Sequence, residues 1–95
     1  MIYQATKKVT GGKMIRIKID ADDWIDSIRI TGDFFLHPED VLPTLESSLS
    51  GMPVGAPAKD YAKQIQNVLT EEQANFVGVT PQDVADTIVE ALHRK

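Results

Sequence analysis

From Lys13 to Asp20 the sequence alternates without a break. Ile15, Ile17 and Ile19 point one way, and Met14, Arg16 and Lys18 point the other. Only a strand repeats every two residues, so this segment is half buried in a sheet, and β-branched isoleucines suit its inner side. Such a strand needs neighbours for its edges and a layer over its apolar face. With 95 residues there is room for one domain, residues 1–95, and a modest core. The cover must therefore come from the same short chain.

The neighbours are at hand. Ile2 to Val9 alternates less regularly, and Thr10-Gly11-Gly12 is a turn of the kind that closes a hairpin. After the polar turn Asp20-Ala21-Asp22-Asp23, Ile25 to Thr31 reads as a third strand with Ile28 and Ile30 on one face. Three antiparallel strands in a meander are the simplest arrangement. Pro38 to Leu49 reads as a helix through Val41, Leu42, Leu45 and Leu49, ended by Ser50-Gly51. Pro43 either kinks this helix or sits in its first turn after a separate Pro38-Glu39-Asp40 turn. Met52 to Pro57 is a Gly/Pro-rich loop, and Ala58 to Leu69 is a second helix with Tyr61, Ala62, Ile65, Val68 and Leu69 on one side. Thr70 to Gly78 either extends that helix or forms a loop burying Phe76 and Val77. The last helix has the clearest signals: Thr80 at the cap, Pro81 at the first position and Asp83 at the positive end of the dipole. Val84, Ile88, Val89 and Leu92 form its apolar stripe, and His93, Arg94 and Lys95 lie at its negative end. The expected class is α+β: a small antiparallel meander of about three strands covered on one face by about three helices.

Charge is unevenly spread. The net value of −4 combines +5 over residues 1–19, where Lys7, Lys8, Lys13, Arg16 and Lys18 face no acid, with −7 over residues 20–50, where eight acids meet only Arg29. The remainder carries −2. The basic segment is either one of two complementary surfaces or a local anion-attracting face. The overall acidity argues against nucleic-acid and membrane partners. The chain has no signal-peptide pattern at its start and no apolar run long enough to span a bilayer, so a cytoplasmic protein is expected.

The chain is poor in catalytic chemistry. Without cysteine there is no disulfide framework, thiol nucleophile or cysteine-ligated metal. Thr10-Gly11-Gly12-Lys13 invites a phosphate reading, but a strand follows where a P-loop needs a helix. Asp20, Asp22, Asp23 and Asp26 fail the EF-hand register, since Trp24 holds the third ligand position. His37 and His93 have no spaced metal-binding partner, and the serines lie in no nucleophile elbow. No catalytic residue and no metal site is expected. The stretch Gly32-Asp33-Phe34-Phe35 stands apart, because adjacent aromatics cannot both face one core from a regular strand. Burial of both remains the base expectation, with one Phe otherwise left to a partner.

Lys8-Val9-Thr10-Gly11-Gly12-Lys13-Met14-Ile15-Arg16, then Ile28-Arg29-Ile30-Thr31-Gly32-Asp33-Phe34-Phe35, resembles the C-terminal accessory domain of lipoate–protein ligases. The Pro-Glu-Asp helix start, Leu45 to Gly51, and the Thr80-Pro81-Gln82-Asp83 start fit the same pattern, so the resemblance covers almost the whole chain. It implies a non-catalytic subunit of a two-chain ligase that forms a heterodimer with a large catalytic subunit. That subunit would bind ATP, Mg and lipoate, make lipoyl-AMP and transfer the lipoyl group to lysines of lipoyl domains, which this chain would serve indirectly. The glycine-rich lipoate-binding motif and catalytic lysine of the large domain have no counterpart here. Interface or loop-positioning candidates are Lys7, Gly11, Gly12, Lys13, Arg16, Gly32, Asp33, Phe34 and Phe35. The alternative is a small protein-interaction or regulatory module unrelated to lipoate. The fold also resembles that of sulfur-acceptor and iron–sulfur assembly proteins, but the missing cysteine argues against sulfur relay.

Overall fold

The structure, a computed structural model, describes residues 1–93. Strands β1 (Ile2–Lys8), β2 (Met14–Ala21) and β3 (Ile25–Gly32) form an antiparallel meander in that order. Ala5 lies opposite Ile17 and Ile17 opposite Ile30, so one face collects Ala5, Ile15, Ile17, Ile19, Ile28 and Ile30, all buried. Helix α1 (Val41–Leu49) packs on β3. Helix α2 (Ala58–Glu71) packs against α1 and against the last helix, α3, which spans Pro81–Leu92 and lies on β1 and β2. The expected α+β class is present, with the core between the sheet's isoleucines and the helices.

Local chemistry explains the boundaries. Gly11 and Gly12 both take positive φ, and Val9 and Lys13 close the hairpin with an N–H to carbonyl bond of 2.8 Å. Pro43 occupies the third position of α1, within the first turn, where no intrahelical N–H bond is lost. The separate turn before it is present: Val41 N–H donates to the Pro38 carbonyl at 3.1 Å. Helix α3 opens with a reciprocal capping box. The Asp83 N–H donates to Thr80 Oγ1 at 3.1 Å, and the Thr80 N–H donates to Asp83 Oδ2 at 2.9 Å. Val84 and Ile88 are buried as expected, Val89 and Leu92 only half so, and Ala85, Thr87 and Ala91 complete the inner side. His93 caps the other end; Arg94 and Lys95, expected beside it, lie outside the described residues.

Residues 70–78 follow neither expected course. Helix α2 runs two residues past Leu69 and stops in a Schellman turn, with Ala74 N–H donating to the Leu69 carbonyl at 2.8 Å. Gln73 takes φ 53° at the position where glycine is usual. The chain then forms β5 (Asn75–Val77), which pairs antiparallel with β4 (Phe35–His37) in a second, two-stranded sheet. Phe76 is half buried and Val77 exposed, so the expected burial of both is corrected. The segment after α1 is also more ordered than a plain loop. Gly51 N–H donates to the Ile25 carbonyl at 2.7 Å, Ile25 N–H to the Met52 carbonyl at 2.9 Å, and Trp24 bridges Pro53.

Candidate functional site

The two motifs that stand out in the sequence meet at one end of the sheet. Ile15 pairs with Gly32, and beyond that pair the Asp33 N–H donates to the Met14 carbonyl at 3.2 Å. The Met14 N–H returns a bond to Asp33 Oδ1 at 2.5 Å. Asp33 thereby satisfies backbone groups where the regular ladder ends, and fixes the Gly-Gly hairpin against the corner leading into β4. Gly32 makes this approach possible. A Cβ at that position would lie 2.1 Å from the Met14 carbonyl oxygen and 2.9 Å from the Phe34 ring. The stem of Lys13 lies over Gly78, where a Cβ would come within 3.1 Å of its Cγ. Gly11, Gly12, Lys13, Gly32 and Asp33 thus belong to one corner.

The two phenylalanines divide their roles. Phe34 is half buried and meets Phe76 edge to face, with ring centroids 5.5 Å apart. Phe35 is 57% exposed. It pairs across the ribbon with Val77, 53% exposed, and stacks on His37 at 6.1 Å. The base expectation that both rings are buried therefore fails for Phe35, because strand alternation sends Leu36 inward instead. Beside the Phe35 edge a groove of about 390 Å³ runs between the end of β3 and α1, lined by Ile30, Thr31, Leu36, Glu39 and Leu42 among others.

Lys7 and Arg16 lie elsewhere. Lys7 sits on the helix-covered side, opposite Ile15, and its Nζ pairs with Glu90 of α3 at 3.1 Å. Arg16 sits on the opposite, open face between Thr6 and Thr31. The sequence reading missed His37 and Val77, which join Phe35 only through the β4–β5 pairing. It also missed Glu46, whose Oε2 accepts from the Ile30 N–H at 2.7 Å. Alternation in Phe35-Leu36-His37 was the one available hint, and three residues are too few to announce a strand.

The hydrogen bonds at the corner shape backbone; they do not align a nucleophile with a base. Among the described residues no three His, Asp or Glu side chains gather as a metal site. The titrations that shift are remote from it. The Met1 amino group is raised, first by its bond to Asp20, and the Tyr61 phenol is raised by burial. Beside this corner, Phe35 and Val77 form an exposed apolar ridge on the β4–β5 ribbon.

No protein-family model matches this chain, and no curated protein does. A solved structure, however, is similar over the whole length. It is of an archaeal lipoylation system, a bipartite lipoate protein ligase and its E2 lipoyl domain from Thermoplasma acidophilum. The similarity covers 100% of this chain and 98% of the matched one, at 28% identity and a TM-score of 0.72. The matched chain is therefore of nearly the same extent as this one.

Proposed function

We propose that this protein is the small accessory subunit of a bipartite lipoate–protein ligase. The observation that carries the reading is the end-to-end similarity to a chain of such a system, reached by a sequence whose motifs resemble the ligase accessory domain. On this reading 1–95 is one accessory domain and works in the cytoplasm. A large catalytic subunit binds ATP, Mg and lipoate, forms lipoyl-AMP and modifies lipoyl-domain lysines. On this reading the reacting groups belong to the large subunit, and this chain contributes none.

The contribution is conformational. Docking raises the rate of adenylation only if the small subunit binds the adenylation-competent state of its partner more tightly than the alternative. A tenfold preference corresponds to about 1.4 kcal/mol, within the usual range of coupling energies. The Phe35–Val77 ridge is the natural anchor, since exposed apolar side chains already held on a paired ribbon lose less entropy on docking than those of a free segment.

The test is lipoate-dependent ATP–pyrophosphate exchange by the purified large subunit, with and without this chain. The mixture should exceed the large subunit alone by at least roughly tenfold. Equal rates would reject the accessory role. Mass spectrometry of the same mixture checks the other protein role in such a system: a lipoyl adduct on this chain would make it an acceptor.

A further inference from the structure

The face of the three-stranded sheet turned away from the helices has no cover. Register places its side chains in rows across the strands: Lys8 with Met14, then Thr6, Arg16 and Thr31, then Gln4, Lys18 and Arg29. All of these residues are exposed. Four cations from three strands therefore share one surface. Lys18 and Arg29 are direct cross-strand neighbours, with Cβ atoms about 5 Å apart, a pairing that destabilises a sheet when the charges are alike. Arg16 lies two residues along from Lys18 and diagonal to both Lys8 and Arg29.

Two acids flank the group, Asp33 beside Arg16 and Asp20 beside Lys18 and Arg29, but among the described residues neither forms an ion pair with any of the four cations, and Asp33 Oδ1 is taken by the Met14 N–H. The ion pairs present join the Met1 amino group to Asp20 and Asp22, and Lys7 to Glu90. Asp20 lies one row beyond Lys18 and Arg29, and its carboxylate is paired with the Met1 amino group. A chain with net charge −4 thus carries an excess of positive charge, four cations against Asp20 and Asp33, on the bare face of its three-stranded sheet.

We propose that this open face binds an acidic surface of a partner protein. Charge complementarity is the argument, and the surroundings narrow the partner's class. Arg16, Lys18 and Arg29 stand among Thr, Gln, Ser and Asp side chains, with no aromatic ring among the paired residues of the face for bases to stack on. Met14 and Ile2 are its only large apolar groups, too few for insertion into a bilayer. A sheet of this width and strand length offers on the order of 350 Å², well below the roughly 800 Å² per partner of a stable complex. The contact is accordingly transient, fast to form and salt-sensitive. It does not depend on the lipoylation reading.

The test is fluorescence anisotropy of a labelled polyglutamate peptide with the full chain. The wild type should bind, and binding should weaken roughly tenfold between about 50 and about 200 mM salt. Lys18→Glu with Arg29→Glu should abolish it. Lys59→Glu with Lys63→Glu, exposed on α2, changes net charge equally and should leave it within about twofold. Circular dichroism checks folding, and Lys18→Gln with Arg29→Gln replaces the reversal if that variant is unfolded. Equal weakening by the two double variants would overturn the proposal. So would binding of oligothymidylate or phosphatidylglycerol vesicles without binding of the peptide.

Discussion

Two single residues hold conformations that their neighbours dictate. Gly32 is required by space: any Cβ meets the Met14 carbonyl oxygen at 2.1 Å, and that carbonyl is fixed by the Asp33 N–H. Gly32→Ala should therefore cost about 2–3 kcal/mol, as backbone must move in a packed corner; urea unfolding measures it. Gln73 is the converse case. Its left-handed φ costs a non-glycine residue about 1 kcal/mol, and the side chain is exposed. Gln73→Gly should stabilise the protein by about 0.5 kcal/mol after the larger chain entropy of unfolded glycine is set against the relief. A lower urea midpoint for this variant would show that the Gln73 side chain makes a contact worth more than the backbone strain. Neither effect was legible beforehand. Gly32 and Met14 are 18 positions apart, and a helix that stops on glutamine carries no stop signal.

At the scale of elements, the β4–β5 ribbon has a packed inner side and an exposed outer one. Phe34 and Phe76 face each other on its inner side, while Phe35 and Val77 stand outward. Phe34→Ala should destabilise by about 1–3 kcal/mol in thermal unfolding, through the half-buried ring and its aromatic pair. Phe35→Ser should leave the melting temperature nearly unchanged while, on the proposed function, reducing co-elution with the large ligase subunit at least roughly tenfold. A Phe35→Ser protein that still co-elutes as the wild type does would place the docking surface elsewhere. The strands β1 to β3 and helix α3 were readable, because alternation and caps are properties of neighbouring residues. The ribbon was not, since its strands are three residues long and about forty positions apart. The edge of β3 shows the same limit: Glu46 from α1 closes it by accepting the Ile30 N–H.

Over the whole molecule, burial shifts one titration that bears on alkaline stability, that of Tyr61. Tyr61 is fully buried among the helices, and its hydroxyl donates to the Pro53 carbonyl at 2.5 Å. Burial raises its phenol above the ordinary value of 10.0, and the charge of Asp60 acts in the same direction. The folded state thus holds this proton to higher pH than the unfolded chain does. The resulting stability is intact below about pH 10 and is lost as pH rises through the folded value. Tyr61→Phe should lose about 1 kcal/mol at neutral pH, from the missing hydrogen bond. Its melting temperature should then fall less steeply than the wild type's above pH 10. Parallel alkaline limbs would remove Tyr61 as the cause. The charge pattern also resolves only at this scale. The basic run of residues 1–19 divides between the hairpin corner, a pair with Glu90 and the open sheet face.

The sequence by itself determined the meander, the three helices and the capping of α3. Each of these rests on residues within a few positions of one another, where periodicity, turn chemistry and composition act directly. Tertiary structure alone decided which phenylalanine is left in solvent, that Asp33 seals the hairpin corner, and that four cations share an uncovered face. Those outcomes depend on which distant segments become neighbours, and the free energy that brings them together comes from burying the shared core, which no local pattern encodes.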